Sequence, residues 1–336
     1  MKKKIFVTGV TGYIGSHTAV ELLNNNYEVI GLDNFSNSKA DVLNSIYKIT
    51  NKNIEFYEGD MNDSELLDKI FSENEIDLVI DFAAYKSVGD SVNNPLDYYQ
   101  NNLSSVITLL IVMKKHNVNA FLFSSSATVY GTPSSLPYYE DHSTGDTANP
   151  YGTSKYFVEQ VMKDLHVADD KFNGCILRYF NPVGSHSSGL IGEDPKGIPA
   201  NLMPFICKVA IGALPELSIF GDDYNTVDGT GVRDYIHVVD LAVAHVKAVN
   251  KLLSSNGGLH IYNLGTGEGV SVLQMVKAFE KVNNVKVNYK IAPRREGDID
   301  EYYANSDKAF NELGWKAEKT IEDMCRESYN FYKKDI

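Results

Sequence analysis

Along the first half of the chain, short apolar runs alternate with longer stretches whose apolar residues recur every three or four positions. Residues 5–7, 28–32, 54–57, 78–82, 120–123 and 175–177 are brief, rich in β-branched and aromatic side chains and bounded by turn formers, which predicts strands. Between them, residues 12–25, 63–73, 95–116 and 152–167 carry the spacing of amphipathic helices. Six strands separated by helices predict an α/β fold built on a doubly wound parallel sheet. Right-handed crossovers then put any ligand outside the carboxyl ends of the strands. After Asn181-Pro182-Val183-Gly184 the texture changes, with Gly, Pro and Asp accumulating through Gly197, Pro199, Pro204, Pro215 and residues 221–231. We expect a first domain over 1–181 and a smaller α+β domain over 182–336, as a chain of 336 residues exceeds the ~250–300 that one core serves. Residues 235–253 read as a helix and 260–264 as a strand, so part of 235–265 can return to pack on the first domain.

The segment Val7-Thr8-Gly9-Val10-Thr11-Gly12-Tyr13-Ile14-Gly15 joins the first predicted strand to the first helix. Its glycines suit a tight turn, backbone approach to a phosphate and close helix–sheet packing, and the helix N-terminus offers N–H groups to a pyrophosphate. Asp33 ends the second strand eighteen residues after Gly15, where a carboxylate would bond ribose hydroxyls and repel a 2′-phosphate. The pattern predicts a Rossmann dinucleotide site for NAD rather than NADP. No Gly-Lys-Ser/Thr closes the loop, so it is not a P-loop. Asp60-Met61 after the third strand reach towards an adenine, although Asp60 serves equally as a helix cap. Phe82-Ala83-Ala84 after the fourth would let the cofactor pass closely or simply pack.

Tyr151 and Lys155 lie four apart, so a helix presents both on one face, and a lysine cation there would lower the phenol pKa from ~10 towards a usable general base. Tyr329 and Lys333 share that spacing, so spacing alone decides nothing. Position does: Tyr151 opens a helix after the strand ending in Ser124-Ser125-Ser126, at the sheet edge that carries the glycine loop.

Composition narrows the field. With 31 Lys+Arg against 44 Asp+Glu the net charge is −13, which disfavours nucleic acid and anionic membrane as partners. The longest apolar run, residues 106–113, is far short of the ~20 that span a bilayer. Met1-Lys2-Lys3-Lys4 is followed by no apolar targeting segment, and Cys175, Cys207 and Cys325 show no metal-binding or paired spacing, so a cytoplasmic protein without a metal site is expected.

Across nearly its whole length the chain resembles the extended short-chain dehydrogenase/reductase family and, within it, the UDP-glucose 4-epimerases. The resemblance rests on residues 8–17, Leu32-Asp33-Asn34, residues 124–131, Pro150-Tyr151-Gly152-Thr153-Ser154-Lys155, Leu177-Arg178-Tyr179-Phe180-Asn181-Pro182-Val183-Gly184, Gly231-Val232-Arg233-Asp234-Tyr235-Ile236-His237 and Ala292-Pro293-Arg294-Arg295-Glu296-Gly297-Asp298. It implies an isomerase in which Ser126, Tyr151 and Lys155 are catalytic and NAD takes and returns a hydride at C4, passing through a 4-keto sugar between UDP-glucose and UDP-galactose. It implies cofactor contacts from Gly9, Gly12, Tyr13, Ile14, Gly15, Asp33, Asn34, Asp60, Met61, Phe82, Ala83, Ala84, Lys86, Asn101, Ser124, Tyr151, Lys155 and Phe180. Substrate contacts would come from Lys86, Ser126, Tyr151, Asn181, Asn201, Leu202, Phe220, Arg233, Tyr235, Arg295, Asp298 and Tyr302. The resemblance further implies a homodimer through helices 95–116 and 152–167, and a Tyr302 phenol bordering the sugar's 2-substituent. Related sugar-nucleotide dehydratases carry an Asp-Glu pair where this chain has Ala127-Thr128, which speaks against dehydration; decarboxylation shares the same tyrosine and lysine. A non-catalytic NAD-sensing regulator would need neither Tyr151 nor Lys155.

Overall fold

In the computed structural model, which describes residues 2–132, 135–295 and 298–334, the apolar runs of the first half become parallel strands. Glu296-Gly297 of the last motif lie outside the described residues. The order is β1 (Lys4–Thr8), α1 (Tyr13–Asn24), β2 (Glu28–Asp33), α2 (Asp41–Thr50), β3 (Glu55–Glu58), α3 (Ser64–Glu73), β4 (Leu78–Asp81), α4 (Val88–Asn93), α5 (Pro95–Tyr99), α6 (Ser105–Lys115), β5 (Ala120–Ser126), α7 (Pro150–Ala168) and β6 (Asn173–Tyr179). Alternate residues feed opposite layers: Ile5 and Val7 pack with α1, while Phe6 packs with α3 and α6. Burial on both faces is why these strands, apart from the half-buried β3, read as apolar runs.

Three readings of the first half need correction. The single helix expected over 95–116 is interrupted at Gln100–Ser104 by a π-type turn. That bulge turns Asn102 inward, where its amide accepts from Tyr85 N at 2.8 Å and donates to Tyr85 O at 2.9 Å, pinning the loop after β4. Two helices were not expected: α4 is too short to show a period, and α2 fully buries Ile46 alone. Asp60 does not cap α3, because Asp63 does so, accepting from Glu65 N and Leu66 N.

The second half runs β7 (Asn181–Val183), α8 (Leu202–Ala210), β8 (Leu217–Phe220), β9 (Val232–His237), α9 (Val238–Ser254), β10 (Gly258–Leu264), β11 (Gly269–Ser271), α10 (Val272–Asn283), β12 (Tyr289–Ala292), β13 (Glu301–Tyr302), α11 (Asp307–Leu313) and α12 (Ile321–Lys333). The helix expected from 235 starts only at Val238, because Tyr235–His237 finish a strand and the His237 Nδ1 caps α9 by accepting from Val239 N. β10 pairs parallel with β6, from Gly258 beside Asn173 to Leu264 beside Tyr179. The large sheet therefore has seven strands in the order β10-β6-β5-β4-β1-β2-β3. Strand order reverses between β1 and β4, which opens a crevice at their carboxyl ends. β7, β9, β11 and β13 form a second small sheet, β8 pairs with β12, and α8, α10 and α12 surround the second core. Among the described residues no helix is long and apolar enough to cross a membrane.

Candidate active site

The crevice between β1 and β4 is shaped by glycine. Gly9 holds a left-handed φ of +65°, and a Cβ on it would come 3.0 Å from Ala83 N. A Cβ on Gly15 would lie 2.2 Å from Gly9 O, so the first turn of α1 can sit on the loop only without one. Gly12 caps α1 with no side-chain bond and no acidic residue stands in the first turn, which leaves the positive helix end for an anion. Asp33, at the end of β2, accepts Thr11 N on Oδ2 at 3.0 Å, and Phe35 N and Ser38 Oγ on Oδ1, both at 2.9 Å. A carboxylate has about four lone-pair positions, so one on Oδ2 is left for a ligand hydroxyl. A glycine cradle, an uncapped helix end and a buried acid with one free acceptor site fit a dinucleotide.

From this crevice a cleft of about 1250 Å³ runs across the carboxyl edge of the sheet to the second half of the chain. Single-ligand pockets span roughly 300–1,000 Å³, so it has room for more than one ligand. All residues expected on the cofactor side line it, from Gly9 to Phe180. On the substrate side Lys86, Ser126, Tyr151, Asn181, Asn201 and Tyr302 line it, whereas Leu202, Phe220, Arg233, Tyr235, Arg295 and Asp298 lie off its wall. Four of those six adjoin one another. The Arg233 guanidinium lies 4.8 Å over the Tyr302 ring and reaches Asp298 Oδ1 at 3.5 Å. Arg295 sits 4.6 Å over Phe220 and 3.3 Å from Asp298 Oδ2. Tyr235 pairs with Asn181 between β9 and β7, and Leu202 begins α8. Phe220, Arg233, Arg295 and Asp298 thus form an annex of charges and aromatic faces that meets the cleft at Tyr302.

Tyr151 enters the cleft because Asn149 and Pro150 start α7 there, Asn149 Oδ1 accepting from Gly152 N at 2.9 Å. Its phenol faces the Ser126 hydroxyl closely enough for that group to favour the phenolate. Ser126 Oγ also accepts from Thr128 N at 3.2 Å, so its proton is free to point at the phenol oxygen. One turn along α7, Lys155 Nζ donates to Ser124 O at 2.8 Å and rests over the Phe123 ring. Burial pushes the Tyr151 pKa up, the Ser126 hydroxyl opposes it, and the nearby Tyr302 raises it further. Lys155 is directed to a carbonyl, and burial pulls its own pKa down to about 8 against the pull of Asp81.

Glu193 escaped the sequence reading. It sits in the loop between β7 and α8, its side chain 7% exposed, and Oε1 takes Lys86 Nζ at 2.5 Å and Asn201 Nδ2 at 2.6 Å. Two donors from opposite walls of the cleft thus converge on one carboxylate. The only signal was the acidic pair Glu193-Asp194 in a loop otherwise rich in Gly and Pro.

Comparison with known proteins bears on this geometry. The family described as GDP-mannose 4,6 dehydratase matches residues 6–328. A UDP-glucose 4-epimerase of Haemophilus influenzae is 58% identical over 329 residues, covering 98% of this chain and 97% of the relative. That of Bacillus subtilis is 55% identical over 332 residues, covering 99% and 97%. Among solved structures, the Bifidobacterium longum UDP-glucose 4-epimerase in complex with NAD+ and UDP superposes with a TM-score of 0.96 at 55% identity, covering 99% of each chain.

Proposed function

The chain belongs to the UDP-glucose 4-epimerases of the extended short-chain dehydrogenase/reductase family, and on that footing we propose that Tyr151, Lys155 and Ser126 carry the proton chemistry of its reaction. It is an isomerase that interconverts UDP-glucose and UDP-galactose with NAD as cofactor. NAD, when bound, supplies a hydride acceptor and donor at sugar C4, so the reaction has no net redox change. The observation that carries the residue roles is the meeting of Ser126, Tyr151 and Lys155 in the cleft that the glycine loop and Asp33 also line. Tyr151 takes the proton of the 4-hydroxyl as C4 becomes a ketone, and returns it once the sugar has presented its other face. Ser126 stabilises the phenolate by donating to it, and the buried Lys155 cation adds positive charge one helical turn away. The glycine loop, Asp33, Asn34, Asp60, Lys86 and Asn101 hold the dinucleotide on the first domain, 1–181. The second, 182–336, holds the UDP-sugar through Asn181 at the junction, Asn201, Leu202, Phe220, Arg233, Tyr235, Arg295, Asp298 and Tyr302, its arginines gripping the diphosphate. Where dehydration would place an acid and a base, Ala127-Thr128 present a methyl and a hydroxyl, which favours epimerisation.

We take the working form to be a homodimer through α5, α6 and α7, and its setting to be the cytoplasm, as three free buried thiols suit a reducing compartment. The test of the proton chemistry is Tyr151→Phe, which deletes one oxygen and little volume. Turnover of UDP-galactose should fall by ~10² to 10⁴ with bound NAD and melting temperature unchanged. Retention of more than half the wild-type rate would remove Tyr151 from the role.

A further inference from the structure

Tyr151, Lys155 and Glu159 follow one another on α7 at four-residue steps and share one helix face. Each meets one of three consecutive residues of β5. Ser126 faces Tyr151, the Ser124 carbonyl accepts from Lys155, and Ser125 Oγ donates to Glu159 Oε1 at 2.6 Å. The first two members line the cleft; Glu159 and Ser125 do not.

Glu159 is fully buried and opposed by an equally buried Arg178 of β6. The pairing is a two-pronged fork: Arg178 Nε reaches Oε1 at 2.9 Å and Nη2 reaches Oε2 at 2.6 Å. Arg178 Nη1 goes on to Tyr130 Oη at 2.9 Å and Glu140 O at 3.1 Å, and Tyr130 donates to Asn263 of β10 at 2.7 Å. One carboxylate on α7 is thereby tied directly to β5 and β6 and, through two more side chains, to β10. A well-packed apolar pair can stabilise a fold as well as a buried ion pair, so stability does not explain this arrangement. Direction does: a planar fork with fixed bond angles admits one seating of the helix, whereas apolar packing tolerates sliding.

We propose that Glu159 is a positioning residue, its fork with Arg178 and its bond from Ser125 setting the register of α7 on β5 and hence the seats of Lys155 and Tyr151. The proposal rests on the reading of Tyr151 and Lys155 as reacting groups. A misplacement of about 1 Å at a reacting group costs on the order of a hundredfold in rate, so a small slide of α7 is enough to matter.

The experiment uses holoenzyme, with turnover normalised to bound NAD, and compares Glu159→Asp, Arg178→Lys and the apolar double variant Glu159→Leu/Arg178→Met. Both single variants should keep KM for UDP-galactose within about threefold, lose roughly ten- to a hundredfold in kcat, and shift a limb of the kcat–pH profile. The double variant should melt close to the wild type yet remain as slow as the singles. A double variant with wild-type kcat and an unmoved pH profile overturns the proposal, because the pair would then serve the fold alone. If the charged-pair variants fail to fold, Ser125→Ala removes one bond only; a lesser fall in kcat with the same pH displacement is expected, and wild-type kinetics there overturns the proposal too. Tyr151→Phe run in parallel separates the two ideas. Full turnover in that variant defeats the proton chemistry, whereas an inactive Tyr151→Phe beside a fully active double variant defeats the positioning role alone.

Discussion

We expect the phenol at position 302 to bound the sugars that fit. Tyr302 Oη donates to Asn181 Oδ1 at 2.7 Å, Phe180 packs on its ring at 5.6 Å, and Arg233 lies over the ring at 4.8 Å. A ring held at its faces and its tip cannot swing aside, so an acetamido group forced against it meets overpacking of about 1–3 kcal/mol. We expect kcat/KM for UDP-N-acetylgalactosamine to fall roughly ten- to a hundredfold below that for UDP-galactose, and Tyr302→Cys to narrow the gap. Equal wild-type efficiencies would count against Tyr302 as the gatekeeper. A second residue-scale expectation concerns acid. His245 is buried against Phe82, its Nδ1 bonded to Leu241 O and its Nε2 unpartnered, and burial pulls its pKa from 6.5 to about 4. The unfolded chain takes up that proton near pH 6.5 while the fold refuses it until about 4, so stability is lost as pH falls through this window. His17, lowered to about 3, adds to the slope. Thermal melts from pH 7 to pH 4.5 should show a falling midpoint, and His245→Leu should flatten the fall by up to about 1.4 kcal/mol per pH unit.

At the scale of elements, the loop from β7 to α8 does more than connect. Through Glu193 it links Lys86, after β4, to Asn201, the N-cap residue of α8. Farther along, Lys196 Nζ donates to Phe35 O at 2.7 Å and Ser36 O at 3.0 Å, beyond the Asp33 end of the crevice. The loop thus spans the dinucleotide cleft from one side to the other. Glu193→Gln keeps the shape and removes the charge. Because Lys86 is 45% exposed, solvent screens the pair, and we expect NAD to leave several-fold faster rather than a hundredfold, read from NADH fluorescence after dilution. An unchanged release rate would reduce the contact to a surface ion pair.

For the whole molecule, one group of exposed apolar side chains lies on the neighbouring helices α5, α6 and α7. Leu96 on α5 is 79% exposed and Ile111 on α6 is 65% exposed, and Phe157 on α7 is also open, touching Tyr99 of α5. Apolar side chains grouped on neighbouring helices are the material of an isologous interface. Sedimentation should give a dimer, and Ile111→Glu should shift it towards monomer. A wild-type chain that stays monomeric at every concentration would contradict the assignment.

Much of this was written in local sequence. Strands buried on both faces must be largely apolar, so all of the first six but the half-buried β3 announce themselves, and a left-handed φ at a position where a Cβ would come 3.0 Å from Ala83 N calls for glycine at position 9. The glycine loop and Asp33 are legible because each does its work within one β-α-β unit. Contacts between distant parts of the chain are not legible in this way. That β10 closes the sheet beside β6, that His237 ends a strand rather than continuing a helix, and that Lys155 turns to the Ser124 carbonyl depend on neighbours brought together by folding. The same holds for Glu193 and for the Glu159–Arg178 fork. A buried charge on one helix has no local signature, because its partner is chosen by the packing of a strand nineteen residues away. Local periodicity and turn chemistry thus determined most elements of the first half and the nucleotide loop. Tertiary structure decided which side chains face one another across the cleft, because long-range pairing is set by the geometry of packing and not by spacing along the chain.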